Sequence, residues 1–415
     1  MTHALSMPKE QIRILLLEGI AETAVEALSN AGYKNVERLT TALSPDELKE
    51  ALTDVRILGI RSRTKLTADI FHAAKRLIAV GSFSVGTNQI DLKTAHQAGI
   101  PVFNAPFSNT RSVAELTIAE IVMLFRRVFP RSTAAHNSGW DKSASGSYEI
   151  RGKTLGIIGY GNIGTQLAIL AEAMGMRVLY HDHVDKLRHG NAEPAKNLHD
   201  LLSRSDVVSL HLPETEQTKN IMGEQEIRAM KPGSYLINNA RGTIVDIDAL
   251  VAALKDNHLA GAAIDVFPVE PASNALPFES PLRGCDNVIL TPHVGGSTQE
   301  AQQRIGEEVA RKLIEYSDVG STVGAVNFPN VQLPLAPTAK RFIQIHKNLP
   351  GVMQKVNDVF ARRDINIISQ YLLTDPEIGY VVIDVEGEVE NANEILTEIR
   401  GFEETLRARQ LNGPN

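Results

Sequence analysis

The chain has 415 residues, more than a single hydrophobic core can organise, so two or three domains are expected. Apolar residues make up 43% and charged residues 22%, ordinary for a globular protein, and the net charge of −7 argues against a general nucleic-acid surface, which needs a basic excess. The single cysteine, Cys285, excludes a disulfide framework and a thiolate cluster, so no metal site is expected. No apolar run reaches membrane-spanning length, and the apolar run in "MTHALSMPKEQIRILLLEG" is too short for a signal peptide, which makes the cytoplasm the expected location.

In chain order, "IRILLLEG" (12–19), "DVRILGIRS" (54–62), "LIAVGS" (77–82) and "IPVFNAP" (100–106) read as buried strands. Between them lie helical patterns such as "AETAVEALSNAG" and "SPDELKEALT", the latter opening on a Ser-Pro-Asp start signal. That is a small parallel α/β lobe. In "NTRSVAELTIAEIVMLFRR" (109–127), Ser112 and Glu115 fit a capping box and the following residues are apolar on nearly every face, which predicts a long buried helix joining two domains.

From residue 153 the alternation restarts. "KTLGIIG", "RVLYHD", "DVVSLHL", "SYLINN", "LAGAAIDV" and "NVILT" predict six parallel strands with helices such as "DIDALVAALKDN" between them, a doubly wound domain. After the helix "TQEAQQRIGEEVARKLIEYS", the proline-rich stretch 327–340 reads as a linker. The remainder follows the order βαββαβ, a ferredoxin-like unit. The expected fold class is therefore α/β: a doubly wound Rossmann domain (109–297) inserted in a smaller flavodoxin-like lobe (6–108 with 298–336), followed by a ferredoxin-like domain (339–415).

"GIIGYGNIGTQLAILAEAMGMRVLYHD" carries G-x-G-x-x-G at Gly159, Gly161 and Gly164, after a strand and at the start of a helix, with Asp182 ending the next strand. Gly159 permits the turn, Gly161 lets a pyrophosphate approach the backbone, and Gly164 lets helix and strand pack closely. Asp182 would accept hydrogen bonds from ribose hydroxyls and would repel a 2′-phosphate, which favours NAD over NADP. The alternative is a glycine turn that serves packing alone.

Three further residues fall at the carboxyl ends of predicted strands, where ligands of such sheets gather: Arg241, Glu270 and His293. Oxidising a secondary alcohol removes a hydride from carbon and a proton from oxygen. A histidine can take the proton, a carboxylate beside it favours the charged imidazole, and a guanidinium can grip a substrate carboxylate by two bonds. Taken singly, each has a plainer reading: a charge at a helix start, a solvated loop acid, a polar residue ending a strand.

The motifs "GYGNIGTQ", "NNARGTIVD", "GAAIDVFPVEP" and "LTPHVGGST" make the chain resemble the D-2-hydroxyacid dehydrogenase family, and with "GIRSRT", "GTNQIDL" and "NAPFSNTRSVAEL" the resemblance runs from about residue 10 to 411. It implies that His293 exchanges the proton on the C2 oxygen, Glu270 pairs with it and Arg241 anchors the carboxylate. It implies NAD contacts from Asn162, Ile163 and Asp182, from Asn239, Ala240 and Arg241, from Asp265, and from His293, Val294, Gly295 and Gly296.

Arg61, Ser62, Arg63 and Thr64 place two guanidiniums and two hydroxyls at a strand tip, which suits an anion or makes a solvated basic turn. In the branch of the family that this chain resembles, that tip and Asn109 bind substrate, and a loop matching Trp140 and Lys142 reaches toward the phosphate in a neighbouring subunit. The C-terminal unit resembles an ACT regulatory domain, in which His346, Asn348 and Asn366 match positions that hold L-serine. Many such domains carry an acid where this chain has Lys347. The resemblance thus implies NAD-dependent oxidation of 3-phospho-D-glycerate to 3-phosphohydroxypyruvate in a serine-inhibited homotetramer, with a side activity on 2-oxoglutarate. Two alternatives stay open: a reductase of an unphosphorylated 2-oxo acid, and a dinucleotide-sensing protein like the family's corepressor relatives.

Overall fold

A computed structural model describes residues 7–271, 275–334, 339–386 and 392–411. The chain divides into two compact units, residues 1–108 with 302–415 and residues 109–301.

The first unit opens with five strands, β1 (Ile14–Leu16), β2 (Val36–Arg38), β3 (Ile57–Ile60), β4 (Ala79–Ser82) and β5 (Val102–Phe103), all parallel in the order β2-β1-β3-β4-β5. The four strands expected from their apolar runs are present, each shorter than its run. The unexpected fifth, β2, is a half-exposed edge whose Val-Glu-Arg sequence carries no apolar run. The helix Pro45–Ala51 begins with proline in its first turn and a complete capping box: Ser44 Oγ accepts from Glu47 N while Glu47 Oε2 accepts from Ser44 N at 2.8 Å.

The second unit holds β6 (Thr154–Ile158), β7 (Arg177–His181), β8 (Glu193–Pro194), β9 (Val207–Leu210), β10 (Ser234–Asn238), β11 (Leu259–Ile264) and β12 (Val288–Leu290). They form a parallel sheet in the order β12-β11-β10-β9-β6-β7-β8. The order reverses between β6 and β9, the crevice where such sheets bind ligands. All six expected strands are present; β8, a two-residue edge pair containing proline, is a seventh. The long helix runs Thr110–Phe125 and buries Val113, Ala114, Thr117, Glu120, Ile121, Leu124 and Phe125. Its start corrects one expectation. The N-cap is Asn109, so Ser112 and Glu115 are interior residues rather than a capping box. Ser112 Oγ bonds Thr298 Oγ1 at 2.8 Å, and Glu115 pairs with Arg111.

Back in the first unit, β13 (Lys340–Lys347), β14 (Ile367–Thr374), β15 (Ile378–Val385) and β16 (Thr405–Leu411) form an antiparallel sheet in the order β14-β15-β13-β16, the ferredoxin-like arrangement. Strand alternation gives it two apolar faces. Phe342, Val381 and Ile383 pack on the helices Val352–Ala361 and Ala392–Arg400. Ile343, Ile345, Tyr380, Val382 and Leu411 instead join the core that contains Ile14, Leu16 and Phe103 and the helix residues Ile305, Val309 and Leu313. Polar bonds secure the join: Tyr380 Oη donates to Gly320 O at 2.6 Å, and His96 Nε2 lies 2.8 Å from Asp375 Oδ2. Of the proline-rich stretch, residues 335–338 lie outside the described residues, as do residues 6, 272–274, 387–391 and 412–415 of the expected domains.

Candidate active site

In the second unit, the β6 turn meets the demands of a dinucleotide cradle. Gly159 sits at φ +94°, and a Cβ there would lie 2.4 Å from His211 O. A Cβ on Gly164 would lie 2.4 Å from Gly159 O, whereas one on Gly161 would meet nothing within 4 Å. Packing therefore explains two of the glycines and leaves the middle one facing open space at the start of the helix Asn162–Ala173. Asn162 and Ile163 supply the first helical N–H groups, suited to a pyrophosphate. Asp182, at the tip of β7, accepts from Tyr160 N at 2.8 Å and so fixes the turn from its carboxyl side.

On the other side of the sheet crevice, β12 runs into Thr291–Ser297. The buried Asp265 carboxylate, just past β11, accepts from Thr291 Oγ1 at 2.6 Å, from Val294 N at 2.8 Å and from Gly295 N at 2.8 Å. That grip encloses His293, whose backbone is left-handed at φ +54°. The segment continues close to Asn109, because a Cβ on Gly296 would lie 2.5 Å from Asn109 Nδ2. Asn109 Oδ1 is buried with no partner among the described residues.

His293 Nδ1 lies 2.9 Å from Glu270 Oε2 and 3.0 Å from Oε1, and Glu270 Oε1 also accepts from Phe267 N at 3.2 Å. Glu270's hydrogen bond raises the His293 pKa against the opposing effect of burial, with the Glu270 and Asp265 charges adding to it. Burial pushes the Glu270 carboxyl up, but the His293 bond and charge, Phe267 N and the Arg241 charge together hold it below its ordinary value. Burial lowers the Arg241 pKa, opposed by the Glu214 and Glu270 charges. Arg241, Glu270 and His293, from three distant segments, are thus electrostatically coupled. Nδ1 is committed to the carboxylate, leaving Nε2 to exchange protons.

Two residues that local sequence patterns do not reveal shape this rim. Gly242 packs directly against the backbone that leads to Glu270, since a Cβ there would lie 2.0 Å from Phe267 C. Asn238 Nδ2 donates to Arg241 O at 2.8 Å and its Oδ1 accepts from Ala240 N at 3.1 Å, so the turn after β10 is held by its own side chain. Asn239, by contrast, turns inward. Its Nδ2 donates to Glu120 Oε2 at 2.6 Å and to Thr117 Oγ1 at 3.0 Å, and only 6% of the residue is exposed. The Asn239 donor is thus spent inside the protein, while its Oδ1 is buried with no partner among the described residues. Glu120 is fully buried, and desolvation, with a further push from the Asp265 charge and against the Asn239 bond, raises its pKa to about 8.

In the first unit, the Arg61–Thr64 turn is built around another buried acid. Glu18 accepts from Arg61 N at 3.1 Å, Arg63 N at 2.9 Å and Thr64 N at 2.9 Å. Burial alone would raise its pKa; the three amides and Thr64 reverse the shift. Gln89 Nε2 adds a bond to Arg61 O at 2.6 Å. Ser62 lies on the exposed side of this turn. Trp140 is 88% exposed and Lys142 is also exposed.

The C-terminal positions divide into two groups. His346 is buried in β13 against Gly379, where a Cβ would lie 2.2 Å from His346 Nε2, and its Nδ1 has no partner among the described residues. Asn348 follows at the end of β13, its Nδ2 donating to Asp375 O at 2.7 Å. Asn366 precedes β14 beside the Val385 end of β15, where its Nδ2 lies 3.2 Å from Glu386 Oε2. Lys347, however, pairs with Ile378 at the other end of β15. Seven residues along a strand is roughly 24 Å, so one chain does not bring Asn366 to His346 and Asn348.

Known proteins resemble the whole chain. It is 55% identical over 411 residues to a D-3-phosphoglycerate dehydrogenase of Haemophilus influenzae, covering 99% of this chain and 100% of that protein. It is 56% identical to one of Escherichia coli (strain K12), covering 98% and 99%. The chain belongs to the D-3-phosphoglycerate dehydrogenases. The family model described as D-isomer specific 2-hydroxyacid dehydrogenase, NAD binding domain, matches residues 118–295, and an AHAS small subunit-like ACT domain matches 342–407. Among solved structures, D-lactate dehydrogenase from Aquifex aeolicus, complexed with NAD and lactic acid, superposes with a TM-score of 0.67 at 29% identity, covering 77% of this chain and all of that one. The chain is therefore an NAD-dependent D-2-hydroxyacid dehydrogenase carrying a C-terminal ACT domain. Among the described residues, no helix is long and apolar enough to cross a membrane.

Proposed function

We propose that the chain oxidises 3-phospho-D-glycerate to 3-phosphohydroxypyruvate, the opening step of L-serine synthesis, with His293, Glu270 and Arg241 as its reacting set. The observation that carries this reading is the His293–Glu270 pair, held by Asp265 and coupled to Arg241, in a chain at least 55% identical to relatives named for that activity. Bound NAD would accept the hydride from C2. Neutral His293 takes the hydroxyl proton at Nε2, while Glu270 holds the opposite N–H and stabilises the imidazolium that forms. Arg241, desolvated by burial, clamps the substrate carboxylate with two parallel bonds. Gly161, Asn162 and Ile163 accommodate the pyrophosphate, Asp182 the adenine-side ribose, and Ala240, Val294, Gly295 and Gly296 the nicotinamide side.

Arg61, Ser62, Arg63 and Asn109 recognise the substrate, with Lys142 and Trp140 contributing from a neighbouring subunit. Two guanidiniums on a turn stiffened by Glu18 favour a phosphorylated acid over glyoxylate, and a second carboxylate could occupy the same place, hence a side activity on 2-oxoglutarate. In this reading residues 6–108 with 298–336 form the substrate lobe, 109–297 the cofactor domain and 339–415 the ACT domain.

L-serine binds where two ACT domains pair. The separation of Asn366 from His346 and Asn348 within one chain supports a site completed by Asn366 of a second copy, and hence an oligomer. In this reading the assembly is a tetramer and works in the cytoplasm. The unpartnered Nδ1 of His346 offers a polar contact for the amino acid. The test is NADH consumption with phosphohydroxypyruvate against glyoxylate, with and without serine. Turnover favouring the phosphorylated substrate and falling with serine is expected. Equal turnover of glyoxylate overturns the substrate assignment, and serine indifference overturns the effector.

A further inference from the structure

In the first unit, β16 and the helix Ala392–Arg400 meet the strand and helix ends of the N-terminal lobe around a cavity of about 850 Å³. Lys9, Arg56, Lys75, Arg400, Arg407 and Arg409 line it, and Asp318 is its one acid. That acid is already committed, accepting from Lys9 Nζ at 2.7 Å and from Tyr33 Oη at 2.8 Å. The other five cations have no carboxylate partner among the described residues.

Their bonds go to neutral oxygens instead. Arg407 donates from Nε to Ala98 O and from Nη1 to Leu77 O, both at 2.6 Å, and Arg409 donates to Tyr316 O at 2.9 Å while lying over the Tyr316 ring. Arg400 Nε donates to Ala408 O at 3.0 Å, and Arg56 reaches Arg76 O at only 3.4 Å. These carbonyls orient the guanidiniums without neutralising them. Burial and mutual repulsion both disfavour the charged forms: Arg409 and Arg56 act on Arg407, and Arg76 and Arg400 act on Arg56. Guanidinium does not lose its proton in proteins, so the charges persist and an anion entering from solvent would meet all of them.

We propose that this cavity is a binding site for a small polyanion, a molecule carrying two or more phosphate or carboxylate groups. The volume lies in the range of small-molecule sites, and forked guanidiniums already held by carbonyls suit multivalent oxyanions. Such a ligand would cross-link the ACT strand β16 to the N-terminal lobe through Arg407 on one side and Arg56 on the other. None of these residues belongs to the dehydrogenase site.

The test is the thermal midpoint of the full-length protein with inorganic pyrophosphate, with citrate, and with sodium chloride at matched ionic strength. The wild type and Arg61→Met, which weakens anion binding at the substrate turn instead, should both melt higher in pyrophosphate than in sodium chloride. Arg56→Met/Arg400→Met should lose that rise and, without added anion, melt no lower than the wild type, because repulsion has been removed. Exposed Lys75→Glu should weaken pyrophosphate binding by roughly tenfold, the loss of a charge-assisted bond, with the fold intact. A citrate rise assigns any compact polyanion to the cavity, and a rise with pyrophosphate alone assigns phosphate. A rise no greater than that in sodium chloride, or one that survives in both cavity variants, overturns the proposal.

Discussion

The Thr291–Ser297 segment and the Arg61–Thr64 turn share a plan. In each, a buried carboxylate beyond the end of a neighbouring strand accepts three hydrogen bonds and fixes the backbone of a turn: Asp265 the segment that carries His293, Glu18 the one that carries Arg61 and Arg63. Glu120 is the contrasting case. It is just as buried, but desolvation is offset only by one side-chain amide and is reinforced by the charge of another acid, Asp265, so its pKa climbs to about 8 where that of Glu18 falls. Burial alone does not decide whether an interior acid is charged. The hydrogen-bond donors and charges that face it decide as well.

The largest effect expected is for His293→Asn, which should lower kcat by roughly 10²–10⁴ and leave NADH affinity nearly unchanged in a fluorescence titration. A matching loss of NADH affinity would mean that the residue shapes the loop and does not carry the proton. Next come the two anchors. Asp265→Ala and Glu18→Ala each remove three bonds to a charged acceptor and should destabilise the fold by about 3 kcal/mol or more in urea denaturation. They should differ kinetically, with Asp265→Ala lowering kcat by displacing His293 and Glu18→Ala mainly raising KM. If Glu18→Ala lowers kcat at constant KM, the parallel between the loops breaks.

The smallest effect concerns Glu120→Gln. Between the ordinary carboxylate value of 4.5 and about 8, the folded wild type retains a proton that the unfolded chain has released, so its stability falls as pH rises across that window. Glutamine removes the titration while keeping an amide partner for Asn239. The variant's stability should therefore decline less between pH of about 5 and about 8 than the wild type's, measured by urea denaturation. Parallel decline in both proteins would show that Glu120 is ionised throughout.

Much of this architecture was legible because it is written locally. The three glycines announce turn, approach and packing by spacing alone, and the apolar runs from "KTLGIIG" to "NVILT" mark every long strand of the parallel sheet. The strands β2 and β8 were not legible, since a short edge needs neither an apolar run nor alternation. The Ser112–Glu115 pattern misled because Ser112 is spent on Thr298, a partner that only tertiary structure supplies. Glu18 and Glu120 gave no signal for the same reason: an acid in an apolar run looks the same whether it meets three amides or one. The Arg241, Glu270 and His293 positions could be read from strand ends, but the inward turn of Asn239 could not, because the pocket that receives it belongs to a helix more than a hundred residues earlier.

The absent side chain at residue 242 has a mechanical consequence. With no room for one more carbon between that backbone and the peptide after Phe267, the guanidinium's turn and the carboxylate's segment abut like two teeth of one gear. Any side chain at that position would therefore drive the Arg241 turn and the segment leading to Glu270 apart.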